Sequence, residues 1–194
     1  MEKTGVSVNK NFGYIFFEEF KAYFISPIAY IVISLFLIVT GWFFFSSFFL
    51  YNQAELRNFF NLLPIIFAFI IPAITMRIFS EEKNIGSYEI LITLPVSFLD
   101  IIIGKFLATL LFIVIMLSPT LSYAICISFL GKLDWGPVIG GFVGAIFLGG
   151  AFSAIGIFTS SITKNQIIAF ILGMAICVTL TLIEMMLFFI PQAV

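Results

Sequence analysis

The sequence predicts an all-α polytopic membrane protein. Of its 194 residues, 62% are hydrophobic and only 10% are charged, and the mean hydropathy is +1.21. Soluble domains are about 45–50% apolar and about 25% charged, so this composition lies well outside their range. The apolar residues fall into five runs, each long enough to cross a bilayer as a helix. The predicted spans are residues 28–50, 59–76, 98–129, 138–160 and 167–190.

Residues 1–27 precede the first span and are predicted to end in an amphipathic helix. From Asn11 to Ile25, aromatic residues recur at roughly helical spacing among Glu and Lys residues. Such a helix can lie in the membrane interface with its aromatic face in lipid. The alternative is that it is only the near end of the first span. Ser26-Pro27 should interrupt it, because the residue before proline is disfavoured in the α conformation.

Prolines and small residues should shape the bundle. Pro64 and Pro72 lie within the second span and Pro119 within the third, so we expect kinks there. The fourth span repeats small residues at intervals of four, which lets another helix approach closely. We expect this face to pack against the second or third span, with dimerisation as the alternative. The small residues are Gly136, Gly140, Gly144, Gly141, Ala145, Gly149 and Ser153.

The Lys and Arg residues in the loops predict the orientation, because cytoplasmic loops carry an excess of them. With the N-terminus and residues 1–27 inside, the outer loops carry Arg57 and Lys132. The cytoplasmic set is larger and consists of Lys3, Lys10, Lys21, Arg77, Lys83, Lys105 and Lys164. We therefore expect a cytoplasmic N-terminus.

The stretch from Ser80 to Lys105 is unusually charged for this chain. Ser80 is predicted to cap a short helix whose first turn is Glu81-Glu82, since acidic residues favour a helix N-terminus. Pro95 should end this helix, and Ser97 should begin the third span. One apolar face is predicted on the helix, formed by Ile85, Tyr88, Leu91 and Ile92. Such a helix either lies at the lipid interface or docks on a cytoplasmic partner.

Several kinds of chemistry are excluded or disfavoured. The chain has no histidine, which excludes a His-based metal site or general base. Cys126 and Cys177 lie in apolar runs and are expected to be small buried hydrophobes, so no metal site is predicted. Gly104-Lys105 is followed by Phe106, so it is not part of a nucleotide-binding P-loop. The net charge of −1 argues against nucleic-acid binding.

The predicted span 98–129 is longer than the bilayer, so its first turns, which carry Asp100 and Lys105, should stand in the cytoplasm. Glu184 is then the only ionisable side chain left at membrane depth within a span. Ion-coupled carriers usually need several intramembrane charges. A single Glu near the outer end of the last span is more consistent with a polar contact at the interface, and an extracellular gate is the functional alternative.

The segment "MRIFSEEKNIGSYEILITLPVSFLDIIIGKFLA" (residues 76–108) resembles the region after the second span of ABC-2-type transporter permeases. That region reads E-E-K, G-[ST]-x-E, L-x-x-x-P and G-K. Here these elements are Glu81–Lys83, Gly86–Glu89, Leu91–Pro95 and Gly104-Lys105. "PAITMR" and "GIFTSSITKNQIIAF" are further matches, and the whole is most similar to the gliding-motility-type branch.

The resemblance implies the permease subunit of an ATP-driven exporter in the bacterial cytoplasmic membrane. Two permease chains, identical or related, would sit on separate ATP-binding subunits. ATP and Mg²⁺ would bind those partners, and this chain would hold no cofactor. It would form the path through the bilayer without being an enzyme itself. The alternatives are a non-transporting membrane scaffold or assembly subunit and, with less support, an ion-coupled carrier.

The resemblance also implies site residues. Residues 80–97 would be the coupling segment, seated in a groove on the ATPase. The implied contact residues are Glu81, Glu82, Lys83, Gly86, Glu89, Leu91 and Pro95. The family has six spans where this chain shows five, which leaves the region around Glu184 without its usual neighbour.

Overall fold

The computed structural model describes residues 8–51, 56–86, 98–130 and 134–189. The described residues are almost entirely helical, and no strand occurs among them. The α-helices among these residues are α1 (Val8–Ile25), α2 (Pro27–Tyr51), α3 (Arg57–Thr75), α4 (Arg77–Ile85), α5 (Phe98–Leu117), α6 (Leu121–Leu130), α7 (Trp135–Ile162) and α8 (Gln166–Phe189).

Five stretches of these helices are long and apolar enough to cross a membrane, which confirms the predicted all-α polytopic fold. They are Pro27–Ser46, Arg57–Ile85, Phe98–Phe129, Trp135–Ile162 and Gln166–Ile183. The chain is therefore a multi-pass membrane protein. Large apolar side chains remain exposed along them, among them Ile38 at 68%, Phe147 at 74% and Ile167 at 67%. Such exposure suits helices whose outer faces contact lipid tails.

The core of the bundle lies between α3, α5 and α7. Phe67, Phe112, Ile113 and Met116 have no accessible surface. Phe67 also contacts Phe36 of α2, with the ring centroids 6.1 Å apart. The described helices bury one large set of apolar residues here and a second, smaller cluster of Ile78, Phe79, Ile101 and Ile157 beside α4.

The small residues of α7 pack as predicted against the second and third spans. Gly149 faces Ile113 of α5, and Gly156 lies so close to Thr75 of α3 that an added methyl group would collide with it. Gly140 and Gly144 face open space instead. The glycines of α7 therefore differ: Gly149 and Gly156 pack against other described helices, whereas no described residue packs against Gly140 or Gly144.

Helix breaks only partly follow the prolines. A single 3-10 turn at Ser118–Thr120, where Pro119 lies, separates α5 from α6. Pro64 and Pro72, however, lie inside α3, which continues past both of them. The second span is interrupted at Met76, four residues after Pro72, and resumes as α4.

The N-terminal helix is present, and its inner face packs along α5. The Tyr23 hydroxyl hydrogen-bonds Thr109 Oγ1 at 3.0 Å, and the Tyr23 ring stacks on Phe112 with centroids 5.0 Å apart. Burial raises the pKa of the Tyr23 hydroxyl. Phe17, on the outer face, is 66% exposed. The helix predicted for this segment is thus a packed element of the bundle, and its placement in the membrane interface stays a prediction.

Candidate functional site at the charged end of the bundle

Five charged side chains on α1, α4 and α5 lie close to the junction of α3 with α4. We call this region the charged end of the bundle. These residues are Glu19, Arg77, Glu81, Glu82 and Lys105. Two elements of the sequence motif that resembles a transporter segment, Glu81–Lys83 and Gly104-Lys105, contribute to this region.

The prediction that Ser80 caps a new helix is wrong. Ser80 is fully buried and lies inside α4, which begins at Arg77 as the continuation of the second span. Its hydroxyl donates to the carbonyl of Met76 one turn earlier. Glu81 and Glu82 therefore belong to the middle of a helix rather than to a first turn.

The helix break at Met76 is closed by a side chain from α7. Ser160 Oγ accepts hydrogen bonds from the backbone N–H groups of Phe79 at 3.0 Å and Ser80 at 3.1 Å. It also donates to the Met76 carbonyl at 2.9 Å. Buried backbone groups need such partners, so one hydroxyl replaces the helical bonds that the break removes. Insertion of a side chain into the helix ladder is a known cause of such breaks.

Lys105 is the centre of the charged end. It lies on α5 and is 2% exposed. Its Nζ donates to Glu19 Oε1 of α1 at 2.5 Å and to Glu82 Oε1 of α4 at 2.6 Å. A longer bond of 3.3 Å reaches the Ile78 carbonyl, and the ammonium lies 5.1 Å from the centre of the Phe79 ring. One lysine thereby joins three helices.

A buried lysine is costly unless it is paired and hydrogen-bonded. Here two carboxylates and a carbonyl supply three acceptors for its three N–H donors. Gly104 precedes it, and a methyl group at that position would press on Ile15 of α1. The close approach of α1 to α5 thus depends on the glycine, and the Lys105–Glu19 bond depends on that approach.

Two further contacts fix α4. Arg77 and Glu81 form a two-pronged ion pair, with Nε–Oε2 at 2.7 Å and Nη2–Oε1 at 2.8 Å. Both side chains are about one-third exposed, so this pair contributes only about 0.5 kcal/mol to stability. Lys83 donates to the backbone carbonyl of Ser161 on α7. Glu81, Glu82 and Lys83 are therefore all engaged within this chain.

Gly86 ends α4. Its φ of +83° lies in the left-handed region, where glycine is favoured because it has no Cβ. The helix that carries Ile85 therefore ends at Gly86 and not at Pro95. The predicted apolar face, which starts at Ile85, does not continue on α4 beyond Gly86. Glu89, Leu91, Pro95 and Ser97 lie outside the described residues.

The remaining predicted site residue, Glu184, belongs to α8, and its side chain is not described. By helix bounds, Lys105 lies within a spanning stretch, whereas the described part of the last stretch ends at Ile183, one residue before Glu184. Among the described residues, no group of three or more His, Cys, Asp or Glu side chains could hold a metal ion.

Sequence reasoning did not identify Glu19 and Ser160 as parts of this site, and treated Lys105 only as a motif residue. Lys105 carried a signal, because it is a lysine seven residues inside a very apolar helix. Buried lysines are rare without a partner. Nothing in the local pattern pointed to Glu19 or Ser160.

Comparison with known proteins gives one match. A family model described as "ABC-2 family transporter protein" matches residues 51–193, about three-quarters of the chain. No curated protein and no solved structure matches significantly. The matched range includes α4, Lys105 and Ser160 at the charged end, together with all spanning helices except α2. The chain is therefore a member of the ABC-2 family of transporter proteins and has the role of a transporter permease.

Proposed function

We propose that this chain is the membrane-spanning subunit of an ATP-driven exporter and that residues 80–97 couple it to separate ATP-binding subunits. The N-terminus and the charged end would face the cytoplasm of a bacterium. A second permease chain, identical or related, would complete the complex, and ATP-Mg would bind the partner subunits. Within the family, we propose that the chain belongs to the gliding-motility-type branch, which its sequence motifs resemble.

The observation that supports this proposal is the direct contact between the two helices that flank residues 87–97 in the chain. The segment leaves α4 after Gly86 and enters α5 at Phe98. Lys105 of α5 bonds Glu82 of α4 at 2.6 Å, so the helices on either side of the segment are tied together. A force applied to the segment would therefore reach the second and third spans directly.

The contacts at the charged end decide which residue best tests coupling. Glu82 supports Lys105, so Glu82→Arg would disturb the fold as well as any docking. Ile85 is the better choice, because it is 72% exposed at the end of α4. Glu89→Arg tests the segment itself.

The experiment is affinity purification of the tagged chain from native membranes, followed by measurement of ATPase activity. We expect a P-loop ATPase at near-equal stoichiometry. Ile85→Asp or Glu89→Arg should lower its recovery about tenfold, as loss of one central interface residue does. Ile162→Asp is the matched control, since Ile162 is also exposed, at 62%, but lies on α7. Recovery of the chain without any ATPase would favour a non-transporting scaffold and refute the proposal.

A further inference from the structure

A cavity of about 500 Å³ lies beside the charged end, between α1, α2 and the junction of α3 with α4. This volume is within the range of small-molecule sites. Its inner wall is apolar and includes Ala29 and Val32 of α2, Ile74 of α3 and Phe112 of α5.

The other wall of the cavity is acidic. The carboxylates are those of Glu18, Glu19, Glu81 and Glu82, and Arg77 is the one cation among the described lining residues. Lys105 adjoins them through its bonds to Glu19 and Glu82. Four carboxylates against two cations leave an excess of two negative charges.

Both cations are already held by carboxylates, Arg77 by Glu81 and Lys105 by Glu19 and Glu82. The N-terminus of α2 also borders the cavity and contributes about +0.5 charge. The N–H of Ile28 there donates to Ser26 Oγ. This fraction is smaller than the acidic excess, so the electrostatics of the cavity favour a cation over an anion.

We propose that this cavity binds a lipophilic organic cation, with the apolar body against α2 and α3 and the positive charge among the carboxylates of α1 and α4. The apolar wall explains affinity for an aromatic or aliphatic body, and the acidic wall selects its charge. The inference that the protein exports such a cation rests on the proposed function. The inference that the cavity binds the cation does not.

The test uses two ions of nearly the same size and shape but opposite charge, tetraphenylphosphonium and tetraphenylborate. Each is titrated separately into the full chain in nanodiscs of zwitterionic lipid, and uptake by empty nanodiscs is subtracted. We expect saturable binding of tetraphenylphosphonium at one site per chain and no saturable binding of tetraphenylborate. Saturable binding of both ions, or of neither, would overturn the proposal.

Two variants locate the site. Ala73→Phe, which narrows the cavity, should weaken tetraphenylphosphonium binding at least tenfold. Glu18→Gln removes one exposed carboxylate of the acidic wall and should weaken it about two- to fivefold. The matched controls are Ala151→Phe and Asp100→Asn, neither of which lines the cavity; both should bind like the parent.

The Glu18 variant keeps the test decisive if Ala73→Phe folds poorly, because Glu18 is exposed and makes no contact that holds the bundle. Saturable binding that neither variant weakens would place the site elsewhere and refute this cavity. The titration needs no ATP-binding subunit. Failure to recover an ATPase would therefore refute the proposed function while leaving this result unaffected, and the reverse also holds.

Discussion

Replacing Lys105 by methionine should destabilise the bundle strongly. The substitution keeps the length and apolar stem of the side chain but leaves Glu19 and Glu82 facing each other without a cation. Breaking a buried ion pair by removing one partner costs about 3–5 kcal/mol. The two carboxylates retain 26% and 23% of their side-chain exposure, so water can compensate in part. We therefore expect a loss near the lower end, about 3 kcal/mol.

Thermal unfolding in detergent measures this loss. For a chain of this length, about 3 kcal/mol corresponds to a fall in Tm of roughly 6–12 °C. The triple variant Lys105→Met, Glu19→Gln, Glu82→Gln removes all three charges and should regain most of the loss, since neutral replacement of a buried cluster is often tolerated. Lys21→Met, an exposed site on α1, is the control and should change stability by less than about 0.5 kcal/mol.

The comparison between the single and the triple variant tests whether the unpaired carboxylates cause the loss of stability. If the triple variant is no more stable than Lys105→Met, the unpaired carboxylates are not the source of the loss. If Lys105→Met unfolds like the Lys21 control, the cluster does not stabilise the bundle at all. Either result would refute the electrostatic account of the three-helix contact.

Two other substitutions test the contacts of α7. Ser160→Ala leaves buried backbone N–H groups at the helix break without their acceptor and should cost about 1–3 kcal/mol of stability. The control Ser161→Ala loses only a hydrogen bond to a carbonyl of its own helix. Equal melting temperatures of the two variants would contradict the role of Ser160. Gly156→Ala should cost about 1–3 kcal/mol because its methyl group meets Thr75, whereas Gly144→Ala has open space and should be neutral or slightly stabilising. The same thermal unfolding measurement checks this pair, and a neutral Gly156→Ala would show that α3 and α7 are less tightly packed than the structure indicates.

The spanning helices could be predicted from the sequence because each depends on its own composition. A run of twenty apolar residues forms a helix in a bilayer whatever its neighbours are. The packing face of α7 was also predictable, since residues four apart share one side of a helix. These signals are local in the chain.

The charged end could not be predicted because its contacts are distant in the chain. Glu19 lies 86 residues from Lys105, and Ser160 lies 80 residues from Ser80. The error at Ser80 has a physical cause as well. A serine before two glutamates is typical of a helix start. The same residues fit the middle of a helix when a side chain from elsewhere, here Ser160, hydrogen-bonds the backbone groups at the break.

The contact of Lys105 with Glu19 has a consequence for where the domain begins. The family model starts at residue 51, yet a carboxylate that neutralises its buried lysine lies 32 residues upstream. A fragment cut at the family boundary would lose α1 and α2 and would leave Lys105 with Glu82 as its one remaining carboxylate. Any minimal unit meant for expression, grafting or chimera construction must therefore start before Glu19. Through this contact, α1 packs directly against the part of the chain that the family model matches.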